Sequence, residues 1–250
     1  GMEHKGLEFS EYVSKESLSQ QGGYGFTNKG PQHDEAWLIF EDVIRQSIPT
    51  FEDKARALRW FPYWRTWFSL CGLCKLPWND IQPESQADYP IKDPKTGDLI
   101  RAKVPDHVAW YAKYFSAVTG RESKPNDLIK MSERVYTLQR IFNIRQGKGL
   151  KKHDSNLPYR AMGPVTPLEY KSREERYDNQ LIEIGFDISK KNIDDKIKIL
   201  RQYREEQYKK LQEAVYLERG WNKNGCPTLE KIRELDLDYS DILDVIAPYR

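Results

Sequence analysis

The chain has 250 residues, enough to bury a substantial core in one large or two modest domains, and a single compact unit with decorations is the first expectation. Its 40 lysines and arginines are interspersed with 38 aspartates and glutamates, so the net charge of +2 names no partner and excludes a broad basic face for nucleic acid. Three unevenly spaced cysteines make no disulfide framework, and no apolar run approaches the roughly 18 residues of a membrane span, which together point to the reducing cytoplasm and away from the membrane.

Gly1 ahead of Met2 reads as a remnant of tag removal, and the N-terminus lacks the charged-then-apolar plan of a signal peptide. Residues 5 to 33 are rich in Gly, Ser and Gln without a sustained period, which is loop chemistry. Trp37, Ile39, Phe40, Val43 and Ile44 then recur at three and four residues and predict a helix over about 34 to 47, closed by Ile48-Pro49. Thr50 and Asp53 form a capping box for a helix whose Ala55, Leu58, Trp60, Phe61, Trp64, Trp67 and Phe68 are apolar on more than one face, so it should be largely buried. Pro62 inside it predicts a kink or break near residue 61.

Residues 76 to 105 hold five prolines and a Lys95-Thr96-Gly97-Asp98 turn flanked by short strands, a surface excursion. A helix over Asp106 to Val118 stops at Gly120, and Pro125 opens a longer one through Leu128, Met131, Val135, Leu138, Ile141 and Phe142 to Gly147. Lys148 to Thr166 reads as loop. Amphipathic helices follow over Pro167 to Ile184 and Asp194 to Arg219, and Thr228 caps a last short one. The expectation is a mostly α, multi-helix protein with long loops and little strand, divided into a loop-rich entry segment (1–33), a helical core (34–166) and a C-terminal helical extension (167–250).

Cys71 and Cys74 stand at C-x-x-C spacing where the apolar helix breaks at Gly72, which writes half of a metal site. The bland reading is core packing; a redox dithiol lacks the surrounding strand-turn-helix, and an adventitious zinc site is a further alternative. Gly72 would let the backbone approach a bound group. His33, between Gly30-Pro31 and a helix, could act as an acid or base near neutral pH, or simply cap that helix. His4, His107 and His153 share no ligand spacing. Trp60, Trp64 and Trp67 at helical spacing read as core, and Arg140, Arg145 and Arg160 are candidates for a phosphate. No P-loop, dinucleotide fingerprint, His-Glu-x-x-His or nucleophile elbow occurs.

Seven stretches in one order resemble the C-terminal third of the tungsten-containing aldehyde ferredoxin oxidoreductases. They are Lys5-Gly6-Leu7-Glu8, Asn28 to His33, Ser69 to Lys75, Ala117-Val118-Thr119-Gly120, Glu133-Arg134 with Arg140 to Gly147, Leu157-Pro158-Tyr159-Arg160, and Arg219-Gly220-Trp221 with Gly225-Cys226-Pro227-Thr228. Members of that family are more than twice as long. The resemblance implies that a tungsten bis-pterin and three cysteines of a 4Fe-4S cluster belong to N-terminal and middle domains outside this chain. The same resemblance places an Asp-x-x-Gly-Leu-Cys motif here, with its glycine and leucine on Gly72 and Leu73 and its cysteine, the fourth cluster ligand, on Cys74. The motif's aspartate falls on Ser69, whose shorter hydroxyl would alter the pterin contact.

By the same resemblance His33 is the active-site histidine near the metal, and Cys71 occupies a variable position. The implied function is two-electron oxidation of aldehydes to carboxylic acids, with electrons passed to ferredoxin or an iron–sulfur subunit. One thiolate cannot hold a cubane, so no cofactor and no turnover are expected of the isolated chain. Longer segments at Leu76 to Pro105 and Glu169 to Gln212 resemble the branch of benzoyl-CoA reductase active-site subunits. A non-catalytic helical interaction module is the reading from a different class, and a homodimer is among the assemblies left open.

Overall fold

The computed structural model describes residues 1–10, 14–44, 46–75 and 104–250, the last segment with side chains from 110 onward. The predicted excursion and its Lys95–Asp98 turn therefore lie, up to residue 103, outside the described residues, as does the side chain of His107. The described chain is mostly α. A two-stranded antiparallel hairpin, β1 (Glu3–His4) and β2 (Leu7–Glu8), pairs Glu3 with Glu8 and His4 with Leu7, and turns through Lys5 and Gly6 at positive φ. After α1 (Leu18–Gly25) come a π-helical turn (Phe40–Ile44), α2 (Phe51–Leu70), α3 (Val104–Thr119), α4 (Pro125–Arg145), α5 (Lys151–Asp154) and a 3-10 turn (Tyr159–Met162). The chain continues with α6 (Pro167–Lys171), α7 (Glu174–Glu183), α8 (Ile193–Glu218), α9 (Leu229–Glu234), α10 (Ser240–Ile246) and a final 3-10 turn (Ala247–Tyr249).

These elements form two units, residues 1–62 with 136–250, and residues 63–135. In the first, α1 occupies a stretch whose sequence reads as loop. Its helical period is hidden because the inward positions are small or polar: a Cβ on Gly22 would lie 2.6 Å from Leu58, and one on Gly23 2.8 Å from the Ala36 carbonyl. Ser17 caps it by accepting from the Gln20 N–H. Gln20 also explains why the predicted helix over 34–47 shrinks to the π-helical turn. Its Oε1 accepts from the N–H groups of Leu38 (2.7 Å) and Ile39 (3.0 Å), while its Nε2 donates to the Ala36 carbonyl (2.9 Å), so this backbone is bonded to a side chain instead of to a helical ladder.

The capping box at Thr50 and Asp53 forms, with Asp53 N–H donating to Thr50 Oγ1 at 3.0 Å. Helix α2 then runs unbroken past Pro62, so of the predicted kink or break the break does not occur. A proline lacks the N–H that would bond the carbonyl four residues back, here Leu58. Arg219 Nη2 donates to that carbonyl at 2.8 Å and its Nη1 to the Phe26 carbonyl at 2.8 Å, so the vacancy is filled from α8's end.

A polar knot at Asp154 binds the rest of this unit together. The fully buried carboxylate accepts from Arg140 through both oxygens (3.2 and 2.7 Å) and from Tyr216 Oη (2.6 Å), and pairs with Lys5 Nζ (2.5 Å). Tyr208 Oη donates to its backbone carbonyl, and Arg140 Nε to the Gly225 carbonyl at 2.9 Å. Burial alone would push the Asp154 carboxyl up, but Arg140 and Lys5 hold it well below the usual carboxylate range. Around the knot, α8 packs Ile197 and Leu200 with Tyr170, Tyr177 and Leu181, and α9 and α10 bury Ile232, Leu235, Ile242 and Ile246 with Ile141, Ile144 and Cys226. Thr228 caps α9 as its sequence suggests, accepting from Lys231 N–H.

In the second unit Trp64 and Trp67 are core, as their spacing predicts, whereas Trp110 is exposed. Trp64 and Trp67 stack at 5.2 Å with an 8° interplanar angle, Phe68 meets Trp64 edge-on, and Tyr111 of α3 lies 5.2 to 5.4 Å from all three rings. Gly120 ends α3 at φ +69°, and Asp127 Oδ2 accepts from Lys124 N–H at the start of α4.

Candidate functional site

Where α2 ends, the backbone folds back in a paired turn. Leu73 N–H donates to the Phe68 carbonyl (2.9 Å) and Gly72 N–H to the Ser69 carbonyl (3.3 Å), with Gly72 at φ +65°. This is the Schellman arrangement, and it gives Gly72 a local reason: no atom of the described residues lies within 4 Å of where its Cβ would stand, so backbone conformation calls for glycine. The turn is anchored from beneath. Arg65, buried against the Phe68 ring, donates from Nη2 to the Lys75 carbonyl at 3.0 Å.

The result is a fixed, solvent-facing edge: Ser69, Leu70, Cys71, Gly72, Leu73 and Cys74 are all exposed beside a rigid aromatic floor. Ser69 Oγ donates to the Arg65 carbonyl one turn back at 3.5 Å. Partial burial pushes the Cys71 thiol above its ordinary value. Cys226 is wholly buried and pushed up to about 11, a packing thiol. An exposed thiol held on a rigid turn suits one thiolate position of an iron–sulfur cluster. Among the described residues no group of three or more His, Cys, Asp and Glu is placed to hold a metal. We expect Gly72→Val to lower stability by about 1–2 kcal/mol, because a β-branched residue is strained at this φ, and to displace the thiols; thiol-labelling rates and a urea melt check both effects.

His33 stands on a separate loop, in the first unit. Asn28 fastens that loop to α4, donating to the Tyr136 carbonyl (2.8 Å) and accepting at its own carbonyl from Asn143 Nδ2 (2.7 Å). Thr27 Oγ1 donates to the Gly30 carbonyl (2.6 Å), and His33 Nδ1 lies 2.9 Å from Ser10 Oγ. The half-buried ring is thus oriented on a constrained turn, the condition for service as an acid or base. Of the phosphate candidates, Arg140 is corrected: it is buried on Asp154 and serves the fold, whereas Arg145 and Arg160 are exposed. What the sequence does not reveal is Asp154 itself, on which the Lys5, Arg140 and Gly225 motifs converge. Nothing in Lys151-Lys152-His153-Asp154 distinguishes a buried acid from a surface one.

The family model described as aldehyde ferredoxin oxidoreductase, domains 2 and 3, matches residues 1–237. The chain belongs to that family. No curated protein matches it. Among solved structures, the active site complex BamBC of benzoyl coenzyme A reductase in complex with 1,5 dienoyl-CoA is similar at 18% identity and a TM-score of 0.47, over 99% of this chain. The chain spans 29% of that structure's matched chain. No helix among the described residues of this family member is long and apolar enough to cross a membrane.

Proposed function

We propose that this chain is the helical part of a tungsten pterin, iron–sulfur oxidoreductase that oxidises aldehydes to carboxylic acids and passes the electrons to ferredoxin or an iron–sulfur subunit. In that reading it closes one side of the cofactor site against the enzyme's other domains. The observation that carries the proposal is Cys74 exposed on a braced Schellman turn, in a chain that matches the family over 237 residues.

Bound in the complete enzyme, the tungsten and cluster would supply the two-electron oxidation and its one-electron exit. The chain's own residues would do four things. Cys74 Sγ would ligate one iron, with the turn around it setting the thiolate's position. Ser69 Oγ would offer the pterin a single hydroxyl where the family motif carries a carboxylate. Gly72 and Leu73 would line the same edge. His33, held at Nδ1 beside Ser10, would hold or release a proton near the reacting carbon.

The test is anaerobic expression of the complete reading frame and assay of aldehyde-dependent dye reduction. His33→Ala should lower kcat by about 10²-fold or more with iron and tungsten content unchanged; unchanged kcat would remove His33 from the chemistry. A second reading, reduction of an aromatic acyl-CoA, is favoured by the length of the segments at 76–105 and 169–212, and activity with that substrate but no aldehyde would select it.

A further inference from the structure

The loop that carries His33 is joined to the N-terminal hairpin segment at Ser10, to which the proposed function gives no duty of its own. Ser10 is held from both sides. Its N–H donates to the Pro31 carbonyl (3.0 Å), and the residue before it, Phe9, is buried with its ring 4.6 Å from that of Tyr24. On the loop side Gly30 lets β2 pass close, since a Cβ there would overlap the Leu7 side chain. The Ser10 hydroxyl therefore reaches His33 Nδ1 (2.9 Å) from a fixed backbone, with only its own χ1 to be set.

A hydroxyl has one hydrogen and two lone pairs, so it can serve Nδ1 in two ways. If Nδ1 carried the ring proton, Oγ would accept it, and the hydroxyl hydrogen would need another acceptor. Among the described residues Ser10 Oγ has no hydrogen-bond partner besides His33. Donation to a bare Nδ1 uses that hydrogen, and at a half-buried position an under-used acceptor is more readily tolerated than an orphaned donor. The neutral ring then keeps its proton on Nε2, because the bond made by one ring nitrogen sets the protonation of the other. His4 has the contrary surroundings: both its nitrogens face carbonyls, of Asn156 (2.8 Å) and Gly25 (3.2 Å), which can only accept.

We propose that Ser10 is a positioning residue for His33: it fixes the ring and its tautomer, so that His33 meets substrate as a neutral hydrogen-bond donor through Nε2–H, toward an oxygen such as that of an aldehyde carbonyl. A neutral imidazole in that role polarises the carbonyl. A ring already protonated on Nε2 cannot take a second proton at that atom, so of the two duties given to His33 this selects holding the proton. The encounter with substrate rests on the proposed function, whereas the tautomer stands without it.

Long-range proton–nitrogen correlation of the four histidines in the 250-residue protein reads the tautomer, with His33→Gln identifying the signals of residue 33. Above the pH of ring protonation, wild type and Ser10→Thr should show a protonated Nε2 and a bare Nδ1 displaced by hydrogen bonding. Ser10→Ala should lose that displacement and keep the fold, since the bond to Pro31 is made by its backbone. A proton on Nδ1, or an Nδ1 signal indifferent to Ser10→Ala, would overturn the inference. In the complete enzyme Ser10→Ala should lower kcat about tenfold at unchanged KM, iron and tungsten, and Ser10→Thr should restore it. A rate lost in His33→Ala but kept in Ser10→Ala would overturn the positioning role alone. A rate kept in both would overturn the encounter with substrate by removing His33 from the chemistry, and His33→Ala tells the two failures apart.

Discussion

Asp154→Ala is expected to destabilise the first unit by about 3–5 kcal/mol, enough to unfold a domain of ordinary stability. The reason is what the substitution leaves behind. Arg140 and Lys5 would remain buried with no counter-charge, and the Tyr216 hydroxyl, which accepts from Gln212, would lose the carboxylate it donates to. Asp154→Asn preserves shape but not charge and should fare little better. Replacing both members of the innermost pair, as in Arg140→Met with Asp154→Leu, should cost less than the sum of the singles, because no orphaned charge survives on that axis. Since the folded carboxyl titrates below the unfolded value of about 3.9, its contribution is complete above that value and disappears as pH falls through the folded-state value. Wild type should therefore show a steep acid transition below about pH 4. A urea midpoint unmoved in Asp154→Ala would show that the knot is incidental.

Elements whose stability is set by their own neighbours along the chain are legible in the sequence. The capping box at Thr50, the Thr228 cap, the proline opening α4, and the apolar stripe of α8 through Ile197, Leu200, Leu211 and Val215 all lie where period and cap chemistry put them. Departures arise where a side chain distant in sequence overrides the local code. Gln20 captures the backbone at Leu38 and Ile39 and cancels the helix that the spacing of Trp37, Phe40 and Ile44 implies. Arg219 supplies the donor that Pro62 lacks and keeps α2 whole. Likewise α1 is packed through glycines and glutamines that carry no apolar period. For the site, the pairing of Gly72 with a helix end can be read from its neighbours, since glycine two residues past an apolar run predicts a left-handed stop. Exposure of the Cys74 thiol cannot: cysteines near tryptophans are commonly core, and only the fold-back of the turn sets this one outside.

Cys74→Ser should have the largest effect on function, abolishing turnover in the complete enzyme while leaving the helical fold intact. A serine hydroxyl is a far poorer soft-metal donor than a thiolate, and a cubane that loses one of four protein ligands loses its fixed place and its tuned potential. Cys71→Ser is the informative control. It stands only three residues away with a similarly exposed thiol, yet in this account it holds no iron, so the two variants separate a specific ligand from a general need for thiols on the turn.

Iron content and the electron paramagnetic resonance of the reduced cluster, measured on anaerobically purified complete enzyme, test the assignment most directly. Wild type and Cys71→Ser should each carry about four irons with the same signal, and Cys74→Ser should lose the signal and most of the iron. Full iron and an unchanged signal in Cys74→Ser would contradict the assignment and return the turn to a structural role.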